Sequence, residues 1–242
     1  MLGEIAVAID GSEDFCNFRL ASRRFRAATK HAMGKRISNK ITVYPRHAYM
    51  KSLLAEVQDS EVADCVRNIT LLAEGLKEHE YGYQWAWEDL QIWSDLMFTQ
   101  NDIKTINNIN AAHADDLAVN GDFLTAGRYR SMLTDLLQCL PNLATITVRK
   151  LEPGEHIPGW SGTKLFNKLS FHHDRLDTGM IFYGDWQYDT THLRVTQYKD
   201  EFDDLISEPD AGPQASFADD LKAAVATTGT EAKVHWMPTT RR

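Results

Sequence analysis

Apolar residues at the amino end recur with helical spacing. Leu2, Ile5 and Ile9 stand at the i, i+3, i+7 positions of one helical face, and Gly11 stops the run. Ser12 followed by Glu13 and Asp14 reads as a helix start, a hydroxyl cap with carboxylates where the helix dipole favours them. That second helix runs through Phe15 and Phe18 toward Leu20. A third, from about Ser22 to Met33, puts Phe25, Ala28 and Ala32 on one side and Arg23, Arg26 and Lys30 toward solvent, and closes at Gly34. Three short helices bury too little surface to stand alone, so this head must dock onto the rest of the chain or onto another protein.

After Gly34 the period changes. Ile41-Thr-Val-Tyr44 is β-branched and aromatic, closed by Pro45, and predicts a strand. His47 to Val57 has helical spacing through Met50, Leu53, Leu54 and Val57, and Asn68-Ile-Thr-Leu-Leu72 predicts a second strand. Strand, helix and strand in that order make a parallel pair. Tyr81 to Phe98 is rich in aromatic residues at mostly helical spacing, which favours core over a ligand-stacking surface. Asn107 to Asn120 reads as a loop or a helical connection, and Tyr129 to Leu140 as an amphipathic helix.

Leu140-Pro-Asn-Leu143-Ala-Thr-Ile146-Thr-Val148 is a helix end, a turn and a strand, and its Leu-x-x-Leu-x-x-Ile-x-Val spacing resembles a leucine-rich-repeat unit. A further unit is expected at Leu165 to Phe171, at a separation that suits such repeats. Asp174 to Asp189 reads as loop, Phe217 to Thr227 as helix and Ala232 to Trp236 as a last strand. A terminal repeat ordinarily carries a polar cap. An uncovered Trp236 just ahead of a Thr-Thr-Arg-Arg tail therefore leads us to expect a solenoid that stops short of completion. The expected fold class is α/β: a short three-helix head over residues 1–40, followed by an irregular leucine-rich-repeat-like α/β solenoid over residues 41–242.

Composition fits a folded chain, with 43% hydrophobic and 25% charged residues. Cys16, Cys65 and Cys139 are odd in number and widely spaced, so they predict buried small hydrophobes in a reducing compartment and no disulfide frame. The amino end lacks the basic flank and apolar run of a signal peptide, and no stretch reaches the ~20 apolar residues of a membrane span. A cytoplasmic or nuclear protein without membrane contact is expected. Asn68-Ile-Thr70 fits a glycosylation sequon, but it falls within the expected strand.

Charge changes the picture more. Although the net charge is −8, no Asp or Glu occurs between Phe15 and Ala55, where ten Lys and Arg stand; from Glu56 onward acidic residues outnumber basic ones by about two to one. A cationic head suits an acidic partner. The run Arg19, Arg23, Arg24, Arg26, Lys30, Lys35 and Arg36 has no recognition-helix arrangement and the isoelectric point is near 5.6, so a protein partner is favoured over nucleic acid.

Candidate chemistry is thin. Gly159-Trp-Ser161-Gly162 lacks the second flanking glycine of a nucleophile elbow, since Thr163 takes that place. His172-His173-Asp174 offers adjacent imidazoles that would point to opposite faces of a strand and could not share one ion. Glu78-His79-Glu80 has no histidine at a helical spacing to complete a zinc site. No phosphate-cradling loop or dinucleotide fingerprint occurs. The sequence therefore predicts no enzyme, no catalytic residue, no metal ligand and no cofactor.

Leu2-Gly-Glu4-Ile5, then Glu13-Asp14-Phe15-Cys16-Asn17-Phe18-Arg19-Leu20-Ala21-Ser22-Arg23-Arg24-Phe25, resembles the F-box, whose pattern is Leu-Pro-x-Glu-Ile, then Asp-Leu and Leu-x-x-Leu-Val-Ser-Arg-Arg-Phe. Tyr81-Gly-Tyr-Gln-Trp-Ala-Trp-Glu-Asp-Leu90 and Gly184-Asp-Trp-Gln-Tyr188 are similar to the bodies of filamentous-fungal F-box proteins. The resemblance implies a substrate receptor of a Skp, cullin and F-box ubiquitin ligase. Its F-box-like head would bind a Skp-type adaptor, and through it a cullin, while the body presents an unknown protein target. Leu2, Ile5, Ile9, Phe15, Phe18, Leu20 and Phe25 would form the adaptor-binding surface. Gly3 stands where proline is usual, and the segment between Ile9 and Glu13 is shorter than the pattern. The alternative is a stand-alone or truncated protein-binding repeat module that no longer binds the adaptor.

Overall fold

The computed structural model describes residues 22–29, 32, 41–58, 60–76, 84–152, 155–158, 162–171, 179–183, 187–189, 194–196 and 214–237. Within them the segments of strongest alternation form one parallel sheet. Its strands are β1 (Ile41–Val43), β2 (Asn68–Leu72), β3 (Thr145–Arg149) and β6 (Lys233–Trp236), in the spatial order β1-β2-β3-β6. Every pair is parallel and in register, so that Ile41, Ile69, Ile146 and Val234 form one apolar row across the sheet, and Val43, Leu71, Val148 and Trp236 a second. Alternation sends both rows to the same face.

That face meets the helices. Parallel neighbours need crossover connections, and these are right-handed by strong preference, so strands laid down in chain order collect their helices on one side. Met50 and Val57 of α2 (His47–Val57) join Ile69, Leu71, Ile146 and Val148 in one apolar core. So do Leu133, Leu136 and Leu137 of α6 (Arg128–Gln138), and Phe217, Leu221 and Ala224 of α9 (Gln214–Thr228). Helix α6 packs against both α2 and α9. A two-stranded antiparallel hairpin, β4 (Gln187–Asp189) with β5 (Arg194–Thr196), lies beside α9.

A second apolar cluster forms past the carboxyl ends of the strands. Helices α4 (Gln84–Ser94), α7 (Thr163–Phe166) and α8 (Gly179–Tyr183) supply Trp87, Phe166, Ile181, Phe182 and Tyr183, and Leu76 beyond β2 joins them. Trp87 donates its indole N–H to Asn110 Oδ1 at 2.9 Å, and its ring meets Phe98, Phe166 and Phe182. Helix α5 (Gln100–Thr125) ties the clusters together, with Ile106 and Ile109 in the second and Phe123 and Leu124 in the first. Gly127, at φ 72°, reverses the chain into α6 in a left-handed conformation that favours glycine.

The expected strands, the helices at 47–57 and 129–140, and the carboxyl-terminal helix are all present, which makes the chain α/β with a four-stranded parallel sheet. Residues 107–120, expected as a loop or a helical connection, are helical and form the interior of α5, whose apolar stripe is interrupted by buried Asp102, Thr105, His113, Asp116 and Asn120. Other expectations are corrected. Leu165 to Phe171 is not a repeat strand: α7 and the turns after it place Phe166, Leu169 and Phe171 in the second cluster. The span Asp174 to Asp189, expected as loop, contains α8 and β4. Trp236 is half-buried against the first core rather than uncovered.

The expected third helix is described from Arg23 to Ala28 (α1), with Ser22 Oγ accepting from the Phe25 N–H at 3.1 Å as its cap. Cys65 and Cys139 are half-buried, not fully enclosed as expected, and Cys139 packs against the first core. A four-residue helix, α3 (Ser60–Ala63), leads into the turn before β2.

Candidate functional site

Two features stand out once the apolar faces are satisfied. The first is the sheet face turned away from α2, α6 and α9. The strand positions between the apolar rows carry Thr42, Thr70, Thr147 and His235, which the register sets side by side across all four strands. The parallel row below holds Asn68, Thr145 and Lys233. All seven are half-buried or exposed, and His235, Lys233 and Asn68 stand exposed. Burial on one face and a polar ladder on the other make a platform of hydroxyl, amide, imidazole and ammonium groups, which ends at Leu72, fully buried on the same side beside Arg149.

At the amino ends of the strands the platform is stiffened by side chain to backbone bonds. Arg67 donates to the carbonyls of Asp64 (3.0 Å) and Asn142 (3.3 Å), and Asn142 Nδ2 donates to Asp64 O at 3.1 Å. The turn before β3 is thereby fastened to the turn before β2.

The second feature is a polar seam at the carboxyl ends of the strands, between the two apolar clusters. Glu155 accepts two bonds from the Arg149 guanidinium (2.6 and 3.0 Å), one from its own loop at Glu152 N (2.9 Å) and one from Tyr44 Oη (3.4 Å). Burial pushes the Glu155 carboxyl up, but the Arg149 bonds and the Glu152 N–H outweigh it and hold the group below the usual carboxylate value. Burial, with the Glu155 charge beside it, pushes the Tyr44 phenol up.

Glu74 accepts from Leu151 N and faces Lys150 Nζ at 3.8 Å. Arg46 pairs with Asp116 on α5, whose carboxyl is nonetheless raised, because burial outweighs the Arg46 charge. Asn120, one helical turn further on, donates to Pro45 O and accepts from His47 N, both at 3.1 Å. Tyr183 Oη accepts from Ile157 N at 3.2 Å and lies 3.2 Å from His156 Nδ1, while the His156 ring stacks on Phe166. Each carboxylate here is matched by a cation or by backbone N–H groups, the pattern of a structural seam that seats one cluster on the other.

Asp102 has a similar role on the far side of the second cluster. It closes a capping box with Thr99 at the start of α5 and accepts from both the N–H and the hydroxyl of Ser170, each at 2.8 Å. Burial opposes its charge, yet the Ser170 and Thr99 bonds prevail and hold its pKa at about 2.

Of the residues expected to contact an adaptor, Leu2, Ile5, Ile9, Phe15, Phe18 and Leu20 lie outside the described residues. Phe25 is described, on α1, and is half-buried. Gly159 to Ser161, His172 to Asp174 and Glu78 to Glu80 also lie outside the described residues. Among the described residues no group of three or more His, Cys, Asp or Glu is placed to hold a metal ion, and no helix is long and apolar enough to cross a membrane. Comparison with protein-family models, with characterised proteins and with solved structures found no match.

Sequence reasoning missed the seam and the composition of the ladder. The ladder had a signal, the threonines alternating with apolar residues in Ile41 to Val43, Ile69 to Leu71 and Thr145 to Val148. The seam had little, because the contacts that close it join distant parts of the chain: Tyr44 and Glu155 lie 111 positions apart, and Arg46 and Asp116 lie 70 apart.

Proposed function

We propose that this chain is a substrate-recruiting adaptor of a Skp-cullin-F-box ubiquitin ligase, whose amino-terminal helices bind a Skp-type adaptor and whose body presents a protein target. The observation that carries the reading is the sheet: parallel strands in chain order, with an apolar face turned to the helices and a polar ladder on the opposite face. Such a sheet is compatible with irregular leucine-rich-repeat-like units, whose strand face serves as a platform for another protein. The head supports the same reading through its F-box-like pattern, its excess of cations and a Phe25 ring that is only half-buried. Cations around an apolar anchor speed encounter with an acidic adaptor more than they add affinity. No catalytic residue is assigned in this role.

A second reading, a protein-binding module that no longer contacts the adaptor, is favoured by Thr29 at 0% and Ala32 at 7% exposure. That end of the head is already enclosed by its own chain.

Capture of the full chain on a purified, immobilised Skp-type adaptor separates the two. The receptor reading predicts retention of the unaltered protein and its loss in Leu20→Ala and Phe25→Ala variants whose circular dichroism and melting are unchanged, since losing one apolar anchor costs about 2 kcal/mol or more. Failure of the unaltered protein to bind would leave the second reading.

A further inference from the structure

We infer that the polar face of the sheet receives an extended, carboxylate-rich segment of a partner protein. The inference rests on reading the body as the part that presents the target, and it adds the chemistry of what is presented.

The sign of charge is the argument. The chain is acidic overall, at −8, and from Glu56 onward it carries about two acidic residues for every basic one. Yet the described strand positions on this face, from Thr42 across Thr70 and Thr147 to His235, with Asn68 and Lys233 in the row below, include no Asp or Glu. Lys233 and His235 are exposed on β6. Arg149 stands at the upper end of the same face, but its charge is taken by Glu155. The one uncommitted charge among these strand positions is therefore the Lys233 ammonium on β6, with the His235 imidazole beside it, while the threonine hydroxyls serve as donors along the rest of the row. A carboxylate gains a charge-assisted hydrogen bond at Lys233, whereas an ammonium or guanidinium finds no carboxylate among the strand positions of these two rows.

Dimensions suit a short segment. Strands about 4.8 Å apart put Thr42 and His235 about 14 Å from each other, the length of four to five extended residues at about 3.3 Å each.

Fluorescence anisotropy of a labelled peptide of alternating glutamate and serine, titrated with the full chain, tests this, with the lysine and serine counterpart as control. The expected result is saturable binding of the acidic peptide only, weakened about tenfold in Lys233→Glu and in Thr147→Glu, with circular dichroism unchanged because both side chains face away from the core. Equal binding of both peptides, no binding of the acidic one, or indifference of both variants would overturn it. So would displacement of the peptide by a tenfold lower concentration of oligothymidylate, which would assign the face to nucleic acid. Adaptor capture on the same variants keeps the readings apart. Capture without peptide binding removes this inference alone, and peptide binding without capture removes the ligase role but leaves the face as inferred.

Discussion

Replacing Asp102 by alanine removes an anchor that holds two distant segments of the chain at once. The carboxylate is fully buried and accepts four hydrogen bonds, from Thr99 N (2.9 Å), Thr99 Oγ1 (2.6 Å), Ser170 N (2.8 Å) and Ser170 Oγ (2.8 Å). Breaking the capping box at the start of α5 costs about 1 kcal/mol. A donor stranded in the interior costs about 1 to 3 kcal/mol, but Thr99 and Ser170 are exposed residues that water can reach, so the low end applies to each. The sum for Asp102→Ala is about 3 kcal/mol, or a drop in Tm of about 6 to 12 °C for a chain of this length.

The pH dependence gives a sharper test. The Asp102 pKa of about 2 lies below its ordinary value of 3.8, so the ionised form is the one favoured by folding. Its stabilisation is fully present above the ordinary carboxylate range and is lost as pH falls through the folded-state value. Urea unfolding of both proteins, followed by far-ultraviolet circular dichroism from pH 7 down to pH 3, should show a deficit that is constant to about pH 5 and shrinks below it. A deficit under about 1 kcal/mol at pH 7, or one that stays the same down to pH 3, would refute the reasoning.

Other substitutions probe the seam and the core. Glu155→Gln weakens the paired bonds to Arg149 and should lower stability by about 1 to 2 kcal/mol in urea unfolding, with the loop at 155–158 exchanging amide hydrogens faster. Tyr183→Phe leaves the buried Ile157 N–H without its acceptor and should cost about 1 to 3 kcal/mol, while Phe182→Tyr in the same helix, which adds a hydroxyl to a fully enclosed ring, should cost at least as much. Leu136→Ala empties a fully enclosed site between the helices and the sheet and should cost about 2 to 5 kcal/mol by thermal denaturation; a loss below 1 kcal/mol would mean that α6 is not seated on β2 and β3 as described.

Where burial is apolar, the sequence was legible. Ile41 and Val43, Ile69 and Leu71, and Ile146 and Val148 alternate with polar residues because one face of each strand is buried, and the helical spacing of Met50, Leu53, Leu54 and Val57 reflects a stripe laid on that face. Helix α5 defeated the same logic: its inward face carries Asp102, His113, Asp116 and Asn120, which are buried because they meet partners elsewhere in the chain, and no local pattern announces a partner. Its start was nonetheless written in the chain, since Thr99 and Asp102 have capping-box spacing. The stretch from Leu165 to Phe171 misled for a related reason. Its apolar residues suit a strand as well as a short helix with turns, and only the pocket around Trp87 decides between them. The threonines of the sheet face could be seen one strand at a time, but their alignment into a ladder depends on register, which is set by how the turns before β2 and β3 are fastened by Arg67 and Asn142.

The most direct test of the proposed role is light scattering on a size-exclusion column loaded with the full chain and a purified Skp-type adaptor in slight excess. The receptor account predicts a single peak at the summed mass of one copy of each, which a Phe25→Ala substitution splits into its two components. Two separate peaks from the unaltered proteins at concentrations of tens of micromolar would contradict it.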